Sequence, residues 1–348
     1  MQAKEFHNYR LDRCIGRGAF GLVFEATNIQ TSDHFAVKVL QPTTDPNHAS
    51  EFHNEGVLLQ HLNSSDGVIN YIDGGVAIVD LPIAAGQSIP LEFRYHVLTM
   101  AGGSLDELIE NPVARNQLSW VERLRFFRDA VKAIRQMHAN GVAHRDLKSS
   151  NCLMLVRGNL TTIRLGDLGR AKDLRMPPSL PDEYYMTGRG DLRFSPPEHL
   201  YLQGGNAMGD FLAADYYGLG SLLVELATGQ GLTALTLGNF RSVLQQSHAE
   251  QDTGFRRDLG GLSSRYRAVL LDVVSILPKS IQADAQIVLM NLANPIPGAR
   301  LTASPFSRDR RSTEPLDWVL RRVDIMIKRL ELEAHAASRT RQKIGARS

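Results

Sequence analysis

The sequence predicts an α+β protein of two lobes, in which a small antiparallel sheet with one helix precedes a larger, mainly helical part. Short β-prone runs with alternating apolar residues dominate the first hundred positions. After residue 101 the apolar residues recur with the period of an amphipathic helix. A length of 348 residues also suggests two lobes with ample room for a buried core.

The composition is ordinary for a globular protein. Hydrophobic residues make up 43% and charged residues 22%, and a net charge of +2 offers no whole-chain reason to expect nucleic-acid or membrane binding. The N-terminus lacks the apolar run of a secretory signal, and no uncharged stretch reaches the ~18 residues of a membrane helix. We therefore expect a cytoplasmic protein. Its two cysteines, Cys14 and Cys152, are predicted to be small buried hydrophobes rather than a disulfide.

A glycine-rich turn lies between the first two predicted strands, Tyr9–Ile15 and Leu22–Thr27. The turn is Gly16-Arg17-Gly18-Ala19-Phe20-Gly21, and its glycines would let backbone N–H groups approach phosphate oxygens closely. This spacing alone is weak evidence, because dinucleotide-binding folds also carry it, between a strand and a helix. Here the residues that follow, including Val23, alternate like a strand, so a β-hairpin is favoured.

The third predicted strand, Phe35–Leu40, carries one lysine, Lys38, within an apolar run. A helix is expected next, with Ser50 as its cap and three residues on its buried side: Phe52, Leu59 and Leu62. The helix contains two glutamates, Glu51 and Glu55, and a glycine, Gly56, that costs up to ~1 kcal/mol relative to alanine. Two further strands, Val68–Val79 and Phe93–Met100, are predicted to be joined by a long loop.

Two capping boxes predict helices after the break at Ala101-Gly102-Gly103. The first runs from Ser104 to Glu107 and begins a short helix, and the second runs from Ser119 to Glu122 and begins a longer one. The longer helix is expected to end at Gly141. Its apolar face is formed by Leu124, Phe127, Val131, Ile134 and His138, with His138 predicted to be a packing residue.

The stretch His144-Arg145-Asp146-Leu147-Lys148-Ser149-Ser150-Asn151 joins this helix to the strand-like run Cys152–Leu155. A carboxylate can accept a proton from a hydroxyl, a lysine can hold a charged oxygen, and an asparagine can ligate a hard cation. Phosphoryl transfer requires these groups. A charged surface loop would explain any one of them, but not their order. The stretch resembles the catalytic loop of eukaryotic-type (Hanks-type) serine/threonine protein kinases.

Four further motifs follow the order found in that family, so the resemblance extends over roughly residues 9 to 302. They are the glycine turn, Lys38 in its strand, Asp167-Leu168-Gly169 and Ser195-Pro196-Pro197-Glu198. Leucine replaces the usual phenylalanine at position 168, and we expect it to fill the same apolar slot. The spacing of Lys148 two residues after Asp146 is similar to that of the serine/threonine type.

The resemblance implies a bilobal, protein-kinase-like fold that binds ATP and Mg²⁺. Asp146 would accept or orient the substrate hydroxyl and Lys148 would neutralise the γ-phosphate. Lys38, paired with Glu55 or, failing that, Glu51, would grip the α- and β-phosphates. Magnesium would be held by Asn151 and Asp167. The remaining nucleotide contacts are expected from Gly16, Arg17, Gly18, Ala19, Phe20, Gly21, Val23, Ala36, Leu98, Thr99, Met100, Ala101 and Leu153.

The resemblance also assigns residues to the activation segment, 170–193. Glu198 would pair with Arg300, and Asp215 would hold the backbone of the catalytic loop. A phosphate on Thr187, with Ser179 and Tyr184 as alternatives, could order the segment through Arg145. The family usually has threonine where this chain has Asp191. That carboxylate would lie near Asp146 and Lys148, where it could alter substrate choice or raise a local pKa.

These inferences divide the chain into an N-terminal lobe (1–100), a C-terminal lobe (101–305) and a C-terminal helix with a basic tail (306–348). Thr313 is the expected cap of that helix. Its apolar face should pack on the large lobe or, alternatively, bind a partner; it comprises Leu316, Val319, Leu320, Val323, Ile327 and Leu330.

Three functions follow from these assignments. The favoured one is an ATP-dependent kinase that phosphorylates serine and threonine hydroxyls of protein substrates, with autophosphorylation. A pseudokinase-like binding module is disfavoured because all catalytic groups are present. A small-molecule phosphotransferase of the aminoglycoside or choline type is disfavoured because such enzymes generally lack the glycine turn and the closing Pro-Glu.

Overall fold

A computed structural model describes residues 4–18, 21–42, 45–84, 87–177, 181–187, 190–301 and 314–345. The chain forms two compact units. The first comprises Met1–Gly103 and Leu153–Ala171, and the second comprises Ser104–Cys152 and Lys172–Ser348. The sequence-based lobes differ from these units because the segment 153–171 joins the first one. Backbone hydrogen bonds between Gly102 and Met154 (2.8 Å) and between Ile69 and Leu165 (2.9 Å) attach it there.

In chain order, the strands are β1 Lys4–Phe6, β2 Tyr9–Arg17, β3 Gly21–Asn28, β4 His34–Leu40, β5 Tyr71–Ala84, β6 Gln87–Thr99, β7 Val142–Ala143, β8 Cys152–Arg157, β9 Leu160–Leu165 and β10 Lys172–Asp173. The helices are α1 Pro46–His61, α2 Asp106–Ile109, α3 Pro112–Gln117, α4 Trp120–Ala139, α5 Glu183–Met186, α6 Pro197–Leu200, α7 Met208–Thr228, α8 Leu232–Leu237, α9 Phe240–Asp252, α10 Ser263–Ser275, α11 Gln282–Leu292 and α12 Asp317–Gly345. Among the described helices, none is long and apolar enough to cross a membrane.

The first unit is built on a six-stranded antiparallel sheet with the order β1-β2-β3-β4-β6-β5. One cluster of its buried side chains forms an apolar core: Phe6, Tyr9, Leu11, Ala26, Val37, Val39, Ala77, Tyr95 and Val97. The β8–β9 hairpin adds a separate two-stranded sheet to this unit. The sheet predicted for the first hundred residues is confirmed.

The loop predicted between Val79 and Phe93 is wrong, because most of its residues extend β5 and β6 into one long hairpin. Leu91 pairs with Val79 and Glu92 with Ile78, well beyond the end of β4. The segment contains Pro82 and Pro90, which cannot donate to a ladder, but both pair here in a ribbon whose outer edges need no donor.

Helix α1 begins earlier than the sequence suggested. Its cap is Asp45, whose carboxylate accepts a hydrogen bond from the backbone N–H of Asn47 at 2.8 Å, and Pro46 occupies the first turn. Ser50 therefore lies inside the helix and is not its cap. The predicted apolar face is confirmed, since Phe52, Leu59 and Leu62 are buried.

Gly56 has a packing reason to be glycine. The His96 ring of β6 stacks on Phe52 with ring centroids 4.1 Å apart, and its Nε2 lies 2.9 Å from the Phe52 carbonyl oxygen. A Cβ added at Gly56 would lie 2.6 Å from His96 Cε1. The stacking and the hydrogen bond both hold the ring against Phe52, so moving it away from an added Cβ would disrupt them. Burial lowers the pKa of His96 to about 4, so the ring is neutral at pH 7.

We expect Gly56→Ala to lower the free energy of unfolding by ~1–3 kcal/mol, because overpacking outweighs the better helix propensity of alanine. Gly209→Ala is the matched control, since Gly209 also lies in a helix and a Cβ there would meet nothing within 4 Å. The control should be neutral or stabilising by up to ~1 kcal/mol. Urea unfolding of both variants measures the difference, and a stabilised Gly56→Ala protein would contradict the packing argument.

The second unit surrounds α7, most of whose side chains are buried, including the fully buried Leu219, Leu222 and Leu226. Helix α4 has the predicted capping box, with Glu122 accepting from Ser119 N–H at 2.8 Å. The predicted cap of the shorter helix, Ser104, lies one residue before the observed cap, Leu105, and α2 begins at Asp106. Glu107 nevertheless accepts a hydrogen bond from Ser104 N–H at 3.1 Å.

Helix α12 packs on α4 and α11 through the predicted apolar face, and Leu316, Val319 and Val323 are buried. Asp284 of α11 binds both Arg322 and Arg329 of α12. The helix continues to Gly345, so much of the expected tail is helical, whereas its predicted cap Thr313 lies outside the described residues.

The cysteine prediction is correct for one residue only. Cys152 is buried, but Cys14 is exposed on β2, where the four consecutive residues from Asp12 to Ile15 all face solvent. Both are free thiols.

Candidate active site

The glycine turn closes the β2–β3 hairpin. Gly18 N–H donates to the Gly21 carbonyl at 2.8 Å, and Val23 pairs with Gly16 across the strands. A Cβ at Gly21 would lie 2.8 Å from the Val39 carbonyl oxygen, so a larger residue would displace the backbone. The hairpin is the one predicted, although Ala19 and Phe20 lie outside the described residues.

A buried ion-pair network surrounds Lys38. Its Nζ lies 2.7 Å and 2.9 Å from the two Glu55 oxygens and 3.0 Å from Asp167 Oδ1. Burial opposes the charge on Lys38, but attraction to Glu55 and Asp167 outweighs it and raises the pKa of Lys38. The ammonium is therefore charged at physiological pH. Of the two glutamates considered from the sequence, Glu55 is the partner.

The turn Asp167-Leu168-Gly169 has a strained geometry that aims its carboxylate at Lys38. Asp167 has a φ of 57°, a left-handed conformation that is uncommon for a residue with a side chain. Leu168 is fully buried, which confirms that leucine fills the apolar slot. The turn must be held by neighbouring groups, since such a conformation costs of order 1–3 kcal/mol.

Asn54 of α1 supplies part of this hold. Its side-chain amide donates to the carbonyl oxygens of Gly169 at 3.1 Å and of Ala171 at 2.9 Å, with Leu168 O at 3.4 Å. No sequence motif indicated this residue. Its position beside Glu55 was no signal, because adjacent residues of a helix project in different directions and only neighbours three or four positions apart share a face.

We expect Asn54→Ala to reduce kcat about tenfold. The loss of two to three hydrogen bonds should raise the free energy of the observed turn geometry by on the order of 1–2 kcal/mol. The exposed neighbour His53 provides the control, and His53→Ala should retain parental kcat. Steady-state kinetics with Mg·ATP measures both. Equal rates for the two variants would exclude a positioning role for Asn54.

The predicted nucleotide-pocket residues of the first unit lie on two neighbouring strands and on β8. Ala36 of β4 pairs with Leu98 of β6, so both side chains emerge on the same face of the sheet. Leu153 packs against Gly166. The backbone N–H of Thr99 donates to the Asn70 carbonyl at 3.1 Å, so that donor is engaged within the protein. Roles for Met100 and Ala101 in adenine binding stay predictions.

The second unit carries the catalytic loop, whose first residues are bound by Asp215 of α7. The Asp215 carboxylate accepts hydrogen bonds from the backbone N–H groups of His144 (2.8 Å) and Arg145 (2.7 Å), and His138 Nε2 lies 2.8 Å from it. Burial would raise the pKa of Asp215, but the His138 contact and the backbone donors lower it. The predicted role of Asp215 is confirmed, and His138 is a packing residue with a polar partner.

The predicted catalytic groups are close together on this loop. Lys148 Nζ lies 3.0 Å from Asp146 Oδ2, and both side chains are largely shielded from solvent. Asn151 Nδ2 donates to the Asp146 carbonyl oxygen at 2.7 Å. This bond leaves the amide oxygen of Asn151 as the atom available for a hard cation.

The closing motif of the activation segment is fixed by a buried ion pair. Glu198 and Arg300 form two hydrogen bonds of 2.7 Å, as predicted. Arg145, the expected phosphate partner, lies over the aromatic rings of Tyr185 (5.4 Å) and Phe211 (5.0 Å). Phosphorylation of Thr187 or Tyr184 stays a prediction, and Ser179 lies outside the described residues.

Asp191 binds Arg193, a pairing that no sequence motif indicated. Arg193 donates to it through Nε (2.9 Å) and Nη2 (2.6 Å), and also through its backbone N–H (3.0 Å). Burial would raise the pKa of Asp191, but the Arg193 hydrogen bonds and the field of Lys148 lower it. Asp191 is therefore an ionised, paired carboxylate within electrostatic range of Lys148.

Comparison with known proteins gives a consistent result. Residues 9–309 match the family described as protein kinase domain. The chain is 31% identical over 241 residues to a probable serine/threonine-protein kinase, MARK-B, of Dictyostelium discoideum, covering 68% of this chain and 30% of that protein. It is 28% identical over 221 residues to CBL-interacting serine/threonine-protein kinase 18 of Arabidopsis thaliana, covering 64% and 38%. The matched regions thus span less than half the length of these relatives.

Proposed function

Because the chain belongs to the protein kinase family, we propose that it transfers the γ-phosphate of Mg·ATP to serine and threonine hydroxyls of proteins. The relatives described as serine/threonine kinases support this acceptor type. The observation that carries the proposal is the pairing of Asp146 with Lys148 at 3.0 Å on a loop held by the buried Asp215. A carboxylate and a cation so placed can receive the acceptor proton and neutralise the transferred group.

The residues present fit ATP and magnesium. At Gly21 in the glycine turn, a Cβ would lie 2.8 Å from the backbone. Lys38 is a charged ammonium whose position is fixed by two carboxylates. Asp167 and Asn151 offer the oxygen ligands that magnesium prefers. Within the described part of the chain, no three or more His, Cys, Asp or Glu side chains are grouped to hold a metal. Magnesium in such enzymes takes most of its remaining ligands from phosphate and water.

Each unit contributes its own set of groups to the proposed reaction. In the first unit, Lys38 would bind the α- and β-phosphates and Asp167 would ligate magnesium, which neutralises charge on the phosphates when bound. In the second unit, Asp146 would orient the acceptor hydroxyl and receive its proton, and Lys148 would stabilise the transferring phosphoryl group. Asn151 would ligate magnesium.

The test is incubation of the full chain with Mg·ATP and a mixture of Ser/Thr-rich and Tyr-containing acceptor peptides, followed by phosphosite mapping. We expect phosphoserine and phosphothreonine on the peptides, and on the chain itself if it autophosphorylates. Asp146→Asn protein provides the background. Equal incorporation by parent and variant, or incorporation confined to tyrosine, would contradict the proposal.

A further inference from the structure

Glu225, near the C-terminal end of α7, is attached to the catalytic loop. It is 1% exposed, and its Oε2 accepts a hydrogen bond from the backbone N–H of Ser149 at 3.1 Å. Its Oε1 accepts a second hydrogen bond from the Ser149 hydroxyl. Ser149 is equally buried, so water cannot readily replace either bond if it is lost.

This attachment complements the one made by Asp215. Asp215 binds the backbone at His144 and Arg145, and Glu225 binds it at Ser149. The segment between these attachment points is Asp146, Leu147 and Lys148. One buried helix therefore holds the loop on both sides of its two reactive groups. Ser149 also begins the 3₁₀ turn that ends at Asn151.

The surroundings of Glu225 control its charge. Burial is the largest influence and raises its pKa to about 7, although the hydrogen bonds from Ser149 lower the pKa. Asp106 of α2 raises the pKa further by repulsion, whereas Arg193 lowers it by attraction. The Cys152 thiol also faces this region, and burial raises its pKa so that it stays neutral.

We propose that Glu225 is a positioning residue whose ionised form holds the catalytic loop through Ser149, and whose protonation slows phosphoryl transfer. A carboxylate can accept hydrogen bonds from the N–H and the hydroxyl together. In a carboxylic acid one oxygen carries a proton and is a donor, so the group accepts less well. Hydrogen bonds to an ionised acceptor are also about twice as strong as neutral ones. The proposal rests on the kinase activity proposed above.

The experiment is the pH dependence of kcat at saturating Mg·ATP and acceptor peptide, from about pH 6 to about pH 9. The parent should lose activity about fivefold on the acid side, a factor that corresponds to about one hydrogen bond, with a midpoint near pH 7. At high pH, Glu225→Gln should have a kcat close to that of the parent at acid pH. It should also lack the acid limb, because its side chain cannot ionise.

A second variant tests the charge itself. Asp106→Asn removes the repulsion that raises the pKa of Glu225, so the acid limb should move to lower pH while kcat at high pH is retained. The matched control is Glu107→Gln on the same helix, because the Glu107 carboxylate binds Ser104 instead. Its profile should coincide with that of the parent.

Stability measurements separate positioning from folding. The native pKa of Glu225, about 7, lies above the ordinary value of 4.5. The group therefore stabilises the fold fully when the pH is below 4.5, and this contribution is lost as the pH rises through about 7. Thermal unfolding at pH 8 should therefore show Glu225→Gln to be no less stable than the parent.

The outcomes are distinguishable. An active parent whose acid limb persists in Glu225→Gln, or fails to move in Asp106→Asn, overturns the positioning role and leaves the proposed function intact. A parent that transfers no phosphate at any pH overturns the proposed function itself.

Discussion

Replacing Asp146 with asparagine is expected to lower kcat for phosphoryl transfer about 10³-fold, within the range lost with a general base. Asparagine has nearly the same shape but cannot take the acceptor proton. It also removes the negative charge 3.0 Å from Lys148. Steady-state and single-turnover assays with Mg·ATP measure the loss.

The structure predicts that this variant folds normally. The backbone N–H of Asp146 lies 3.3 Å from His144 Nδ1, and its carbonyl oxygen accepts from Asn151 at 2.7 Å. Neither contact uses the side chain. Lys148 also keeps Asp191 within electrostatic range. Thermal unfolding and ATP binding should therefore match the parent, and a kcat within tenfold of the parent would exclude Asp146 as the base.

The largest effect on stability is expected from Arg300→Ala, which should lower the free energy of unfolding by about 3–5 kcal/mol. Arg300 is buried and makes two 2.7 Å bonds to Glu198, as well as bonds to the carbonyl oxygens of Asn294 (2.7 Å) and Ala213 (3.1 Å). Its removal leaves a buried carboxylate and several carbonyls without their donor. Urea unfolding measures the change.

An exposed pair of similar geometry serves as the control. Arg175 binds Asp173 through two bonds of 2.6 Å and 2.8 Å, but half of its side chain is exposed. Arg175→Ala should leave the unfolding midpoint close to that of the parent, because water solvates the freed carboxylate. If both arginine variants lost similar stability, burial would not be the cause.

The effect of Arg300→Ala should depend on pH in a defined direction. Burial raises the pKa of Glu198, but the attraction of Arg300 outweighs it and holds the pKa below the ordinary value of 4.5. The pair therefore contributes its full stability above that value, and the contribution is lost as pH falls through the lower native pKa. The difference between parent and variant should narrow in strong acid.

Local sequence carries enough information to predict features that depend on a few adjacent residues. The capping box from Ser119 to Glu122 forms because its partners lie three positions apart. The order of residues from His144 to Asn151 identifies the catalytic loop, because adjacency alone brings Asp146 near Lys148. The sheet and its Lys38 follow from alternation within single strands.

The wrong predictions concern a helix cap, a loop and the burial of a cysteine. Ser50 fitted the pattern of a cap, but Asp45 with Pro46 starts the helix sooner. The stretch with Pro82 and Pro90 was predicted to be a loop, yet an outer ribbon tolerates residues that cannot donate. Cys14 was assigned to the interior, although its strand is mostly exposed.

Residue order alone thus predicts the family, the order of the motifs and the candidate reactive groups. What holds those groups is visible only in the folded chain: Glu55 rather than Glu51 on Lys38, Asn54 on the Asp167 turn, Arg193 on Asp191, and Glu225 on Ser149. The physical reason is that a buried polar group binds whatever complementary group the packing brings to it. For Asn54 and Glu225 those groups lie on distant parts of the chain, where no local pattern records the contact.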